Sequence, residues 1–167
     1  MTRRELLAAG LWKLARERAA DHRFSTLFTA QDVRDRLSTP EGLAAAIDWC
    51  RDTAITKVYI ETFRNNYQAE RGTLTEAKRR FLEAGFEVSG CVTTTQIGKI
   101  STGWKVISCY TSSRTQDQLQ AIFEYAAGLF DEIMIDDFWF TDCACSDCEA
   151  ARTAKRVTIG SRTFPVD

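Results

Sequence analysis

The chain has 167 residues, 44% hydrophobic and 27% charged, with a formal net charge of −1. That is a soluble, globular composition large enough for one domain with a real core. Interspersed charges of both signs argue against a nucleic-acid footprint or a polybasic membrane patch, and no apolar run approaches the ~20 residues of a membrane span.

Residues 1–22 carry Arg3 and Arg4 after Thr2, which looks like a degenerate twin-arginine leader. The apolar stretch that follows is broken by Lys13, Arg16 and Arg18, and an export signal needs a clean one. Leu6, Leu7, Leu11 and Leu14 instead fall at helical spacing. The segment is therefore an amphipathic N-terminal helix or a leader, and the protein is cytoplasmic or exported accordingly.

From residue 23 onward, apolar strands alternate with helices. Residues 23–30 predict a first strand. Residues 39–53 predict a helix with Thr39 as N-cap and Pro40 at its first position. Residues 56–63 are β-branched and aromatic and predict a second strand. Residues 73–85 predict a helix capped by Thr73 or Thr75 and ended by Gly85. Residues 86–95 predict a third strand. Residues 104–112 form a short extra strand or an ordered excursion. Residues 113–130 predict a helix with Ile122, Tyr125, Ala126 and Leu129 on one stripe. Residues 131–138 predict a fourth strand. Residues 146–155 predict a helix capped by Ser146 or Asp147. The tail beyond has no obvious fifth strand.

This alternation implies βαβ units and a parallel α/β sheet. The first strand–helix turn has no Gly-rich phosphate fingerprint, which removes the usual argument for a dinucleotide fold. Polar groups gather at strand C-terminal ends instead: Glu61, Arg64, Asn65 and Asn66 after strand two, Thr93 to Gln96 after strand three, and Asp136 with Asp137 after strand four. Barrel enzymes place their chemistry there. A complete (β/α)8 barrel takes about 250 residues, so four βα units read as its N-terminal half (residues 23–167), a fragment of a longer protein. Half barrels can also pair as a homo-oligomer to close the sheet.

Asp136 and Asp137 end an otherwise apolar strand, so a carboxylate there is partly desolvated and tunable. Phe138, Trp139 and Phe140 offer aromatic walls of the kind that stack on sugar rings. Glycoside hydrolysis uses two carboxyl groups. Asp136 and Asp137 are the catalytic candidates, and Glu61, Arg64, Asn65 and Trp139 the substrate-binding ones. The competing role for Glu61 is an ion pair with Arg64 or a nearby lysine, and for the aspartates, structural turn bonding.

Of six cysteines, Cys50, Cys91 and Cys109 stand alone, whereas Cys143, Cys145 and Cys148 form C-x-C-x2-C. Such close spacing suits thiolates converging on a metal better than mutual disulfides. Buried or disulfide-forming cysteines remain the alternative, and the spacing differs from ferredoxin iron–sulfur patterns. Cys50 and Cys91 read as core.

The triplet after the fourth strand resembles the zinc site of family 42 glycoside hydrolases, the bacterial β-galactosidases. The phrases "STLFTAQDVRD", "VSGCVTTTQIGK" and "FDEIMIDDFWFTDC" are also similar to a group of uncharacterised bacterial barrel glycoside hydrolases, and the likeness covers roughly Phe24 to Arg152. The resemblance implies a structural zinc held by Cys143, Cys145, Cys148 and a fourth cysteine from an earlier loop; Cys109, 34 positions before Cys143, fits. It implies an acid/base carboxylate at Asp137, with Asp136 at the preceding position, although Asp-Asp stands here where the family has Asn-Glu. It places the nucleophile in the other half of the barrel. The expected function is hydrolysis of O-glycosidic bonds in a carbohydrate substrate, without nucleic-acid or membrane partners. A non-catalytic, zinc-stabilised carbohydrate-binding or scaffold domain is the alternative, with Trp104, Phe138 and Trp139 as its stacking surface.

Overall fold

The structure, a computed structural model, describes residues 23–154, 156–159 and 162–165. The expected helix or leader over residues 1–22 lies outside them. The chain order is β1 (Ser25–Phe28), α1 (Ala30–Asp35), α2 (Pro40–Asp52), β2 (Lys57–Arg64), β3 (Tyr67–Gln68), α3 (Arg71–Glu83), β4 (Glu87–Val92), α4 (Ser113–Ala127), β5 (Ile133–Ile135), α5 (Ser146–Thr153), β6 (Arg156–Ile159) and β7 (Arg162–Pro165).

Four strands pair in parallel in the order β1-β2-β4-β5, with β3 turned back antiparallel on β2. The parallel strands therefore lie side by side in the order in which the chain makes them. Right-handed crossovers in such an order put the helices on one face of the sheet. The core agrees: Val58 and Ile60 of β2 pack with Val33, Leu43, Leu74 and Phe81 from α1, α2 and α3. Phe63 and Val92 pack with Leu119, Ile122 and Ala126 of α4. Strand side chains alternate, so Tyr59, Glu61, Ser89 and Cys91 point to the opposite face. A register irregularity between Glu61 and Phe63, against Cys91 and Val92 of β4, carries Phe63 back to the helix face. Bulges of this kind re-aim side chains at strand ends.

Local signals explain most boundaries. The first strand ends at Phe28, short of the expected Ala30, because Thr29 and Asp32 form a reciprocal capping box that starts α1. Thr39 and Pro40 open α2 as the sequence indicates. The cap of α3 is Glu70, which accepts from the Gly72 and Thr73 N–H groups, and neither Thr73 nor Thr75. Gly85 follows α3 with φ +90, a conformation that costs glycine nothing. Cys145, not Ser146 or Asp147, occupies the N-cap of α5. Residues 104–112 are an ordered excursion that contributes Ser108 to an isolated β-bridge with Ile100. The described part of the tail forms an antiparallel β6–β7 hairpin separate from the main sheet. Among the described residues no helix is long and apolar enough to cross a membrane.

Candidate active site and cysteine cluster

The C-terminal ends of β2, β4 and β5 converge on an ion-paired group. The Glu61 side chain is fully buried. Its Oε2 accepts from the Ala30 N–H at 2.8 Å and from Arg64 Nε at 2.9 Å. Arg64 Nη2 donates to Asp136 Oδ2 at 2.7 Å. The Thr93 hydroxyl, at the end of β4, lies between the two carboxylates: it touches Glu61 Oε1 and stands 3.0 Å from Asp136 Oδ2. Three adjacent strand ends are thus joined by one guanidinium and one hydroxyl.

This wiring sets the protonation of Asp136. Burial pushes its carboxyl up, but the Asp137 N–H, the Thr93 hydroxyl and the Arg64 guanidinium outweigh burial and hold it below the usual aspartate value. Burial likewise works against the Arg64 cation, and Glu61 and Asp136 reverse the balance, so its affinity for the proton is raised. Asp136 is therefore an ionised carboxylate at neutral pH. Asp137 points elsewhere: it is exposed, and its carboxylate has no hydrogen-bond or ion-pair partner among the described residues.

The other expected substrate contacts separate. Arg64 is committed to the two carboxylates. Asn65 and Asn66, with φ 52 and 56, form the tight turn between β2 and β3, a conformation Asn tolerates. The Asn65 N–H donates to Thr95 Oγ1 at 3.0 Å. The run Phe138-Trp139-Phe140 does not form one wall. Phe138 and Phe140 pack against Trp104, with ring centroids 5.8 and 6.5 Å away. Trp139 packs against Tyr110 and Phe123 at 5.4 and 5.8 Å. Both indoles keep about half their surface in solvent, Trp104 at 50% and Trp139 at 52%.

Cys109, Cys143, Cys145 and Cys148 bring their sulfurs within 4.8 Å of one another, an arrangement that could hold a metal ion. Cys109 Sγ lies 3.7 Å from Cys145 Sγ and 3.6 Å from Cys148 Sγ, far beyond the ~2.05 Å of a disulfide bond. Cys109 comes from the loop after β4; the others lie on the loop after β5 and the first turn of α5. Thiolates are favoured at a helix N-terminus. Burial opposes ionisation of Cys143, but backbone N–H groups and the Thr102 hydroxyl bring it down to about 6. Burial pushes the Cys148 thiol up to about 11. The Thr111 hydroxyl lies 3.3 Å from Cys109 Sγ and 3.1 Å from Cys148 Sγ. Lys99 sits close enough for the sulfurs of Cys145 and Cys109 to raise its pKa. Cys50 and Cys91 are buried elsewhere, and burial raises their thiols to about 11 and about 12.

Sequence reasoning missed Thr93 as the bridge and Asp142 as a second anchor beside the cysteines. Asp142 Oδ1 accepts from Ser101 Oγ, and Oδ2 accepts from the Trp104 N–H at 2.7 Å. Thr93 carried a signal, its place at a strand end; Asp142 carried only its position next to Cys143.

The family model for the probable glycosyl hydrolase catalytic domain matches residues 9–159. An uncharacterized protein of Saccharolobus solfataricus is 29% identical over 110 residues, which cover 62% of this chain and 18% of that protein. The chain thus spans less than a fifth of that relative's length. No solved structure matches. With a parallel α/β sheet whose strand ends gather carboxylates, and a match running almost the length of the chain, the protein belongs to the family of probable glycosyl hydrolase catalytic domains.

Proposed function

We propose that the domain hydrolyses O-glycosidic bonds, with its chemistry at the C-terminal ends of the parallel strands. The observation that carries this reading is the pairing of an ionised Asp136, held by Arg64, with an unpartnered, exposed Asp137 on the next residue. The two environments suit different work. Asp136 keeps its charge and stabilises positive charge developing at the anomeric carbon, as nucleophile or base. Asp137 exchanges protons with the glycosidic oxygen as the acid/base. Glu61, fully buried, does not reach substrate; it holds Arg64.

The proposed architecture is an arc of a (β/α)8 barrel. The sequential strand order, the helices on one face and the polar opposite face with Glu61 and Ser89 support it. Among the described residues β1 and β5 have unpaired outer edges. Further strands of a longer chain, or a second copy, would cover them.

We assign the four cysteines to a structural zinc resembling that of family 42. A Zn–S bond of about 2.3 Å in a tetrahedron separates sulfurs by about 3.8 Å, close to the 3.6 and 3.7 Å found from Cys109. Four thiolates leave no open position for water, so the metal would pin the two loops together without taking part in the reaction.

A second reading has one observation in its favour. Asp136 is already satisfied by Arg64, Thr93 and the Asp137 N–H, as in a structural lock. Under it the domain binds carbohydrate through Trp104 and Trp139 without cleaving it. Turnover of a panel of aryl glycosides separates the two. Hydrolysis that is lost in Asp136→Asn and Asp137→Asn supports the enzyme; sugar binding without turnover supports the scaffold.

A further inference from the structure

Trp104 sits at the tip of an excursion in the loop after β4. The two sides of that excursion are stitched by Ser101 N–H to the Ile107 carbonyl at 2.9 Å and by Cys109 N–H to the Lys99 carbonyl at 2.7 Å. Its base ends in Cys109. Residues 141–144, which lead into the cysteine triplet, run alongside it. The Thr141 hydroxyl donates to the Ser108 carbonyl at 2.9 Å, and the Ala144 N–H donates to Thr102 Oγ1 at 2.8 Å. Between them Asp142 spans the tip, taking the Ser101 hydroxyl on one oxygen and the Trp104 N–H on the other. The fit is tight: a Cβ on Gly103 would overlap the Asp142 carboxylate.

Exposed loop tips are ordinarily mobile. Here the tip is held by a side chain one residue away from Cys143, and Cys143 and Cys109 belong to the same sulfur cluster. A metal bound there fixes the backbone that carries Asp142 to the base of the excursion that carries Trp104. The indole, backed by Phe138 and Phe140, is then held in one orientation with half its surface free. An aromatic platform fixed before binding spares the ordering cost that a mobile one incurs on each encounter.

We propose that Asp142 is a positioning residue that couples the metal-bound cysteine cluster to Trp104 and thereby builds a stacking subsite for the apolar face of a sugar ring. The coupling rests on the metal and carbohydrate readings above. Asp142 neither ligates the metal nor touches the scissile bond.

The test is 19F NMR of zinc-loaded protein labelled with 5-fluorotryptophan, the Trp104 resonance being identified by its disappearance in Trp104→Phe. The expected result is a single sharp Trp104 resonance that broadens or shifts when zinc is removed with a chelator, while that of Trp49, on α2, stays put. Asp142→Ala retains one zinc per chain yet shows the same change. Asp142→Asn restores the wild-type resonance, because an amide can accept from the Trp104 N–H and donate to Ser101 Oγ. Gly103→Ala, which displaces the carboxylate without altering any ligand, reproduces the effect of Asp142→Ala. An unchanged Trp104 resonance in both Asp142→Ala and Gly103→Ala, or in the chelated protein, overturns the coupling. Titration with a panel of methyl glycosides reads the sugar assignment separately. Perturbation of Trp104 supports it, and no response from any tryptophan in the wild type overturns the subsite while the chelation and Asp142 results still decide the coupling.

Discussion

Arg64 and Asp136 lie 72 residues apart in sequence and meet at 2.7 Å, from the ends of β2 and β5 across the intervening end of β4. The contact is mostly shielded, with side-chain exposures of 21% and 23%, so it is worth more than a surface ion pair. Asp136→Asn keeps an oxygen acceptor but removes its charge, so Glu61 is left as the one carboxylate paired with Arg64 among the described residues. We expect a loss of about 1–3 kcal/mol in unfolding free energy, measured by urea denaturation, with the far-UV circular dichroism of the native state unchanged.

Glu61→Gln cuts deeper into the same group. Glu61 is fully buried and supports both Arg64 and the first N–H of α1. Removing one member of a buried pair costs about 3–5 kcal/mol. The expected outcome is a larger fall in denaturation midpoint than for Asp136→Asn and a sub-additive double variant, since both changes act on Arg64.

The depressed titration of Asp136 predicts an acid limb of stability. Its folded value lies below the unfolded one, so the stabilisation is present above about pH 4 and is lost as pH falls through the folded value. Unfolding free energy measured from pH 6 down to pH 2 should decline less steeply below pH 4 in Asp136→Asn than in the wild type. Equal slopes would place the acid sensitivity in other carboxylates.

Metal removal addresses the cysteine assignment. The cluster joins loops whose cysteines are 34 to 39 positions apart, and anything bound to the folded form alone adds to its stability. Purified protein should carry one zinc per chain. Chelation should lower Tm by several degrees, and Cys109→Ser should lose the metal. Cys91→Ser, at a buried cysteine outside the cluster, should keep it.

Local signals made the elements legible: Thr39-Pro40 for α2, Gly85 after α3, and β-branched runs for β2. The whole of α1 was missed because Thr29 and Asp32 form their capping box inside what reads as a strand end. Glu70 replaced the expected threonine caps because a carboxylate can accept from two N–H groups at once. C-x-C-x2-C with Cys109 was readable because metal ligands must converge and few spacings allow it. The Glu61–Arg64 pair was readable as an alternative from proximity alone. The split of Phe138, Trp139 and Phe140 onto different neighbours was not, since it depends on where Trp104 and Phe123 lie. Nor was Asp142, whose partners come from 38 and 41 residues away.

The most direct measurement is the rate of aryl-glycoside hydrolysis by zinc-loaded wild-type protein, Asp136→Asn and Asp137→Asn, each checked for metal content and native circular dichroism. The account predicts turnover in the wild type and a fall of at least about 100-fold in each variant. No turnover on any glycoside by the wild type, or undiminished turnover in both variants, would contradict it.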